Sequence, residues 1–146
     1  MSIAPVLLDT DILSAIMRRN SQALPKARAY LDVYGQFTLS IITRFEILRG
    51  LKAKAATRQA LHFDRFCALN VILPLTDEIV VKAAAIYAAL YQRGTLISDA
   101  DILIAATAIV HGLGVVTNNE DHFKRIDELQ VENWLRNFDA DCHLER

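Results

Sequence analysis

At 146 residues, the chain has room for about one domain. It is 53% apolar and 23% charged, a balance that supports a buried core and excludes intrinsic disorder. A formal net charge of -1 excludes the global basic footprint of many nucleic-acid binders and leaves room only for a local basic patch.

Residues 3–8 form a wholly apolar run, as expected of a strand buried on both faces. Helices are predicted over 12–20 and 24–34, the second stopped by Gly35. A second strand is predicted over 37–40, followed by helices over 43–54 and 55–69. Residues 71–73 read as a third strand closed by Pro74, and 77–92 as a long Ala-rich helix ending at Gly94. Residues 98–110 are apolar almost all round, which predicts a buried helix. After Gly112 and Gly114, residues 115–117 read as a fourth strand and 129–131 as a fifth. Strands alternating with helices imply a parallel sheet covered on both faces, in one domain spanning 1–146. In such sheets ligands bind at the carboxyl ends of the strands, near a switch in strand order.

Cys67 and Cys142 lie far apart with no ligand-spaced partner, which argues against a disulfide framework or a zinc site. His62, His111, His122 and His143 are scattered and read as surface or packing residues. The N-terminus lacks a basic leader, and the longest apolar stretch, 102–110, is too short to span a bilayer. The expectation is a soluble, cytoplasmic protein with no membrane partner.

Acids gather where strands end or helices begin. Asp9 and Asp11 follow the first strand. Glu46, in SIITRFEIL, is expected in the first turn of the helix after the second strand. Asp99 and Asp101, in LISDADILIAA, open the buried helix, and Asn118, Asn119, Glu120 and Asp121 follow the fourth strand in VVTNNEDHF. Strand ends and the helix starts that follow them share one edge of a parallel α/β sheet, so these segments converge on one rim. Singly, each acid fits a helix cap. Thr43-x-x-Glu46 and Ser98-x-x-Asp101 both match the capping box or its Asp variant, and acids in a first turn favour the helix dipole. Together, they would repel unless a cation sat between them. A set of oxygen ligands suits Mg²⁺ or Mn²⁺ rather than zinc. Residues two apart project in different directions, so Asp9 and Asp11 are not expected to reach one ion, nor are Asp99 and Asp101. The small residues Ala105, Ala108 and Gly112 on the stripe of Asp101 lean towards it without excluding Asp99.

The segments LLDTDIL, SIITRFEILRG and DILIAATAIVHGLGVVTNNEDHF, in that order and over nearly the whole chain, resemble the PIN domain family. Within it they resemble the VapC-type toxins of bacterial toxin–antitoxin pairs. The resemblance implies a three-layer α/β/α sandwich with a mostly parallel, four- to five-stranded sheet. It implies a Mg²⁺- or Mn²⁺-dependent endoribonuclease, forming a homodimer and neutralised by a small VapB-like antitoxin. Carried over by residue, the metal-binding acids fall on Asp9, Glu46 and Asp101, the last preferred over Asp99 because it directly precedes Ile102-Leu103-Ile104. A fourth acid of many members falls on Asn119, whose oxygen still accepts but brings no charge. Asp121 is a substitute if the loop bends back, and Thr10 is placed to support the site through its hydroxyl.

The chemistry so implied is metal-assisted hydrolysis of an RNA phosphodiester. Arg18, Arg19, Arg44 and Arg49 are candidate phosphate contacts. The segment 48–69, including Phe63 and Phe66, is rich in apolar residues and is the candidate antitoxin groove. Two rival readings stand beside this one. Asp9-Thr10-Asp11 also matches the Asp-x-Asp motif of phosphotransfer enzymes, although no downstream partner segment accompanies it. A catalytically weak PIN-like binding protein is the other, left open by Asn119.

Overall fold

Val6, Leu7 and Leu8 bring no polar side chain to the sheet, and they form its central strand, β1 (Val6–Leu8). The computed structural model describes residues 4–136, so the expectations placed on Ile3, Cys142 and His143 lie outside the described residues. In chain order the further elements are α1 (Thr10–Met17), α2 (Ala23–Tyr34), β2 (Thr38–Ser40), α3 (Ile41–Ala53), α4 (Thr57–Leu69) and β3 (Val71–Leu73). Then come α5 (Asp77–Gln92), α6 (Asp99–Val110), β4 (Gly114–Val116), α7 (Glu120–Phe123) and β5 (Val131–Glu132).

The sheet order is β3-β2-β1-β4-β5, and each of these pairings is parallel. The sheet is thus wholly rather than mostly parallel, because helices make the crossovers between paired strands. Side chains alternate across it. Leu7 and Val115 face a core with Ile79, Ile86 and Leu90 of α5 and Ile104 of α6. Val6, Leu8, Leu39 and Val116 face the other core, with Ile12 and Leu13 of α1, Tyr30 of α2, Ile47 of α3 and Phe63 of α4. This is a three-layer α/β/α sandwich. The chain builds from β1 to β2 and β3 on one side, then crosses back to place β4 on the other. The switch in strand order therefore lies between β1 and β4, where ligand crevices form in open α/β sheets.

Several boundaries differ from the sequence expectation. α1 starts at Thr10, because Asp9 has extended backbone and caps it. α3 starts at Ile41, because Ser40 caps it by accepting from the Ile42 N–H at 3.0 Å. Thr43 is therefore a buried residue inside the helix and not the cap of a Thr-x-x-Glu box, and Glu46 lies in the second turn. Ser98 is the cap expected of it, accepting from the Asp101 N–H at 3.2 Å. The fifth strand is Val131–Glu132, and the short helix α7 was not anticipated. Cys67 is a buried free thiol. Among the described residues, no helix is long and apolar enough to cross a membrane.

Candidate active site

The rim at the switch point is built first by Asp9. Its backbone N–H continues the sheet by donating to the Val116 carbonyl at 2.9 Å. Its side chain accepts from the Thr10 N–H at 2.8 Å through Oδ1 and from the Thr117 hydroxyl at 2.8 Å through Oδ2. Asp9 is 5% exposed. Burial, followed by the charge of Asp11 and reinforced by that of Asp101, raises its pKa to about 7, against the opposing hydrogen bonds from Thr117 and Thr10. A carboxylate held this way gains from a neighbouring cation.

Asp11 stands in the first turn of α1 on the same rim. Its Oδ2 accepts from the Asn118 N–H at 3.0 Å, while Oδ1 is buried with no hydrogen-bond partner. Burial raises its pKa, opposed by hydrogen bonds from Asn118 and Ile12 and aided by the charge of Asp101. The spacing argument set Asp11 apart from Asp9, yet the two lie close enough for the charge of Asp11 to raise the pKa of Asp9. Asp9 belongs to the strand end and Asp11 to the helix, so a single periodicity does not govern the pair.

Glu46 reaches the rim through Thr10, whose hydroxyl donates to Oε1 at 2.6 Å and lies 3.3 Å from the Thr43 hydroxyl. The other Glu46 oxygen lies 3.8 Å from Arg49. Thr10 therefore connects Asp9, through its N–H, with Glu46, through its hydroxyl.

Asp101 projects from the first turn of α6 and is capped by Ser98. Its Oδ2 lies 3.3 Å from Asn119 Nδ2 and 3.2 Å from His122 Nδ1. Asn119 thus turns its nitrogen towards the acid. Asp99 and Asp121 are exposed and make no hydrogen bond to the rim among the described residues. Glu120 is committed elsewhere. Burial acts to raise its pKa, but hydrogen bonds from Asn133 and Lys124 and the charge of Arg136 more than offset this and leave it lowered.

Of the four arginines, Arg49 alone adjoins a rim acid, with its guanidinium 5.2 Å from the centre of the exposed Phe45 ring. Arg44 is paired with Asp64 of α4 at 3.0 Å, which commits it to the α3–α4 contact. Arg18 and Arg19 follow the far end of α1, which leads about 12 Å away from Asp9. Sequence reasoning placed Asp11 on the rim but not its burial, and it read His122 as a surface or packing residue. The signal available for His122 was its place three residues after Asn119, on one face of a helical turn.

A hollow of about 260 Å³ lined by Asn118, Asn119, Glu120, Asp121 and Asn133 borders the rim. A larger one, about 650 Å³, lies at the opposite edge of the sheet around Pro5, Gly112 and Gly114. Its size does not make it the site, because the buried carboxylates gather at the other edge.

As they stand, no three Asp, Glu, His or Cys side chains among the described residues are disposed to share one ion. The donor chemistry still fits a hard cation. Mg²⁺ commonly takes one or two carboxylates and completes its shell with water. Here Asp9 carries a raised pKa beside two further acids, and Asp11 has a buried oxygen without a partner.

The PIN domain family model matches residues 6–129. The chain is 33% identical over 127 residues to ribonuclease VapC1 of Methanocaldococcus jannaschii, covering 87% of this chain and 85% of the relative. It is 32% identical over 97 residues to the tRNA(fMet)-specific endonuclease VapC of Salmonella typhimurium, covering 66% and 74%. Its fold is similar to a chain of the VapBC2 complex of Rickettsia felis bound to promoter DNA. The TM-score there is 0.78 at 26% identity, covering 88% of this chain and 98% of that one.

Proposed function

This chain belongs to the PIN domain family, and we propose that it is an endoribonuclease of the VapC type, the toxin half of a toxin–antitoxin pair. The observation that carries the reading is Asp9. It is a buried acid at the switch point, raised to about 7 by burial and by Asp11, with Asp101 adding to the effect. A Mg²⁺ or Mn²⁺ ion bound there would supply Lewis-acid stabilisation of charge on phosphorus and a more acidic attacking water.

Asp9 and Asp101 would hold that ion, with Asp11 beside them and Glu46 acting through water. Each carboxylate oxygen has more than one lone pair, so the bonds from Thr10 and Thr117 leave Asp9 able to ligate. Those two bonds fix its orientation before substrate arrives. Thr10 holds Glu46 in register with Asp9. Arg49, 3.8 Å from one oxygen of Glu46, is the candidate contact for a substrate phosphate.

The phosphotransfer reading asks Asp9 to act as an open nucleophile. Its 5% exposure and the hydrogen bonds on both oxygens disfavour that role. A small VapB-like antitoxin is the proposed partner, since the related solved chain sits in a VapBC complex. The expected contact at Phe63 moves, because that ring is fully buried in the core. Leu61 and Leu69 of α4 are the exposed apolar residues of the segment. For a homodimer, the exposed stripe of Val80, Tyr87 and Tyr91 on α5 is the proposed face.

The test is RNA cleavage by purified protein freed of antitoxin, with Mg²⁺ or Mn²⁺ and with EDTA. Cleavage that EDTA stops and Asp101→Asn lacks supports the reading. Cleavage indifferent to EDTA removes the metal from it, and no cleavage under any condition favours the binding-protein alternative.

A further inference from the structure

We infer that His122 is a positioning residue: together with Asn119 it locks one oxygen of Asp101 and leaves the other to face the ion. The inference rests on the metal-dependent nuclease reading above. Three polar atoms close a triangle. Asp101 Oδ2 lies 3.3 Å from Asn119 Nδ2 and 3.2 Å from His122 Nδ1, and the two nitrogens are 2.7 Å apart.

The amide has two N–H groups. One serves Asp101 and the other serves the ring in the tautomer that carries its proton on Nε2; Nδ1 then has no N–H for Asp101, and His122 acts on that carboxylate by holding the amide. Rotating the Asp101 carboxylate breaks the Asn119 contact and leaves the amide half-satisfied. Asp101 Oδ1 makes no hydrogen bond among the described residues, so the clamp selects which oxygen stays available.

The short helix α7 makes the clamp possible. It sets Asn119 and His122 three residues apart on one turn, against the start of α6. It also gives a reason for an amide at position 119. A carboxylate 3.3 Å from Asp101 Oδ2 would repel it, whereas the amide donates to it. Partners that orient a metal-binding side chain typically matter 10- to 100-fold for metal affinity or activity, by the general rule for such contacts.

The experiment titrates Mn²⁺ calorimetrically into the full chain freed of antitoxin, for wild type, His122→Phe, Asn119→Ala and the double variant. His122→Phe is expected to weaken Mn²⁺ binding about tenfold, with an unchanged melting temperature in EDTA. Asn119→Ala should cost about the same, and the double variant no more than either alone, because one clamp is lost in all three. His122→Asn, whose amide oxygen falls near the place of Nδ1, should restore most of the affinity. If His122→Phe unfolds, His122→Ala takes its place with the same expected loss. Wild-type affinity in His122→Phe, or strictly additive losses, overturns the clamp and leaves the metal site standing. No Mn²⁺ binding by wild type overturns the metal reading and the clamp with it.

Discussion

The helix after β3 opens on Thr76, Asp77 and Glu78, and the helix after β1 opens on Asp9, Thr10 and Asp11. In each a polar side chain caps the helix and acids occupy the first turn, where they complement the helix dipole. Asp77 and Glu78 are exposed, while Asp9 is buried and Asp11 is partly so. The difference comes from position in the sheet. β3 is an edge strand, so the start of α5 faces water. β1 is central, so its end is enclosed by β4, α3 and α6, which deliver Thr117, Glu46 and Asp101 to the same rim. One local motif therefore serves as an ordinary cap at the edge and as a charged cluster at the centre.

The largest test of that contrast is activity. Asp9→Asn and Asp101→Asn should each lower RNA cleavage by at least about 100-fold, if a cation there contributes several kcal/mol to the transition state. Asp77→Asn with Glu78→Gln should stay within about twofold of wild type, since nothing reacting is near them. Asp99→Asn, which is exposed, should be milder than Asp101→Asn. Equal losses at the centre and the edge, read in one cleavage assay, would erase the distinction.

Next in size is the pH dependence of stability in EDTA. The folded pKa of Asp9 is raised from 3.8 to about 7. Between these values the folded protein keeps a proton that the unfolded chain has released, so stability falls as pH rises through this window. Asp9→Asn lacks that fall. Urea unfolding at pH 4.5 and pH 8 should show wild type losing about 2–4 kcal/mol more than Asp9→Asn between the two conditions. Parallel profiles would mean that Asp9 ionises as freely as an edge acid.

Mn²⁺ sharpens the same contrast from the other direction. At about 100 times its dissociation constant, an ion that binds only the folded form adds about 2.7 kcal/mol, a shift of several degrees in melting temperature. The shift should be larger at pH 8 than at pH 6, because the ion competes with the proton on Asp9. Asp101→Asn should lose most of it and Asp77→Asn none. A thermal melt with and without Mn²⁺ at both pH values decides this.

The smallest effect concerns the caps. Ser98 accepts from the Asp101 N–H at 3.2 Å and Thr76 from the Ile79 N–H at 3.3 Å. Ser98→Ala and Thr76→Ala should each cost about 1 kcal/mol in denaturant unfolding. Only Ser98→Ala should also weaken Mn²⁺ binding, because the helix turn it caps carries Asp101.

Much of the fold was legible from local pattern. The strand Val71–Leu73 and the helix Asp77–Gln92 stand where apolar runs and periodicity place them, because Pro74 and Gly94 close them. The four-residue helix α7 escaped notice because it is shorter than two turns, so no periodicity is there to read. Thr43 was misread because the cap one strand end earlier, Ser40, competes for the same helix start. The rim itself was legible through Asp9, an acid flush against three apolar residues, and through Asp101 after a capping serine. The enclosure of Asp11 was not, because the group that closes on it, the Asn118 N–H, is 107 residues away. The same holds for Arg44, whose partner Asp64 lies on the next helix.

The sequence alone determined the alternation of strand and helix, and with it a parallel sheet whose acids share one edge. Those outcomes follow from side-chain period and capping chemistry, which act over a few residues. Tertiary structure decided which of those acids lose water. Burial raises a carboxylate only where distant segments enclose it, and that enclosure depends on the order of strands, with β1 held between β2 and β4.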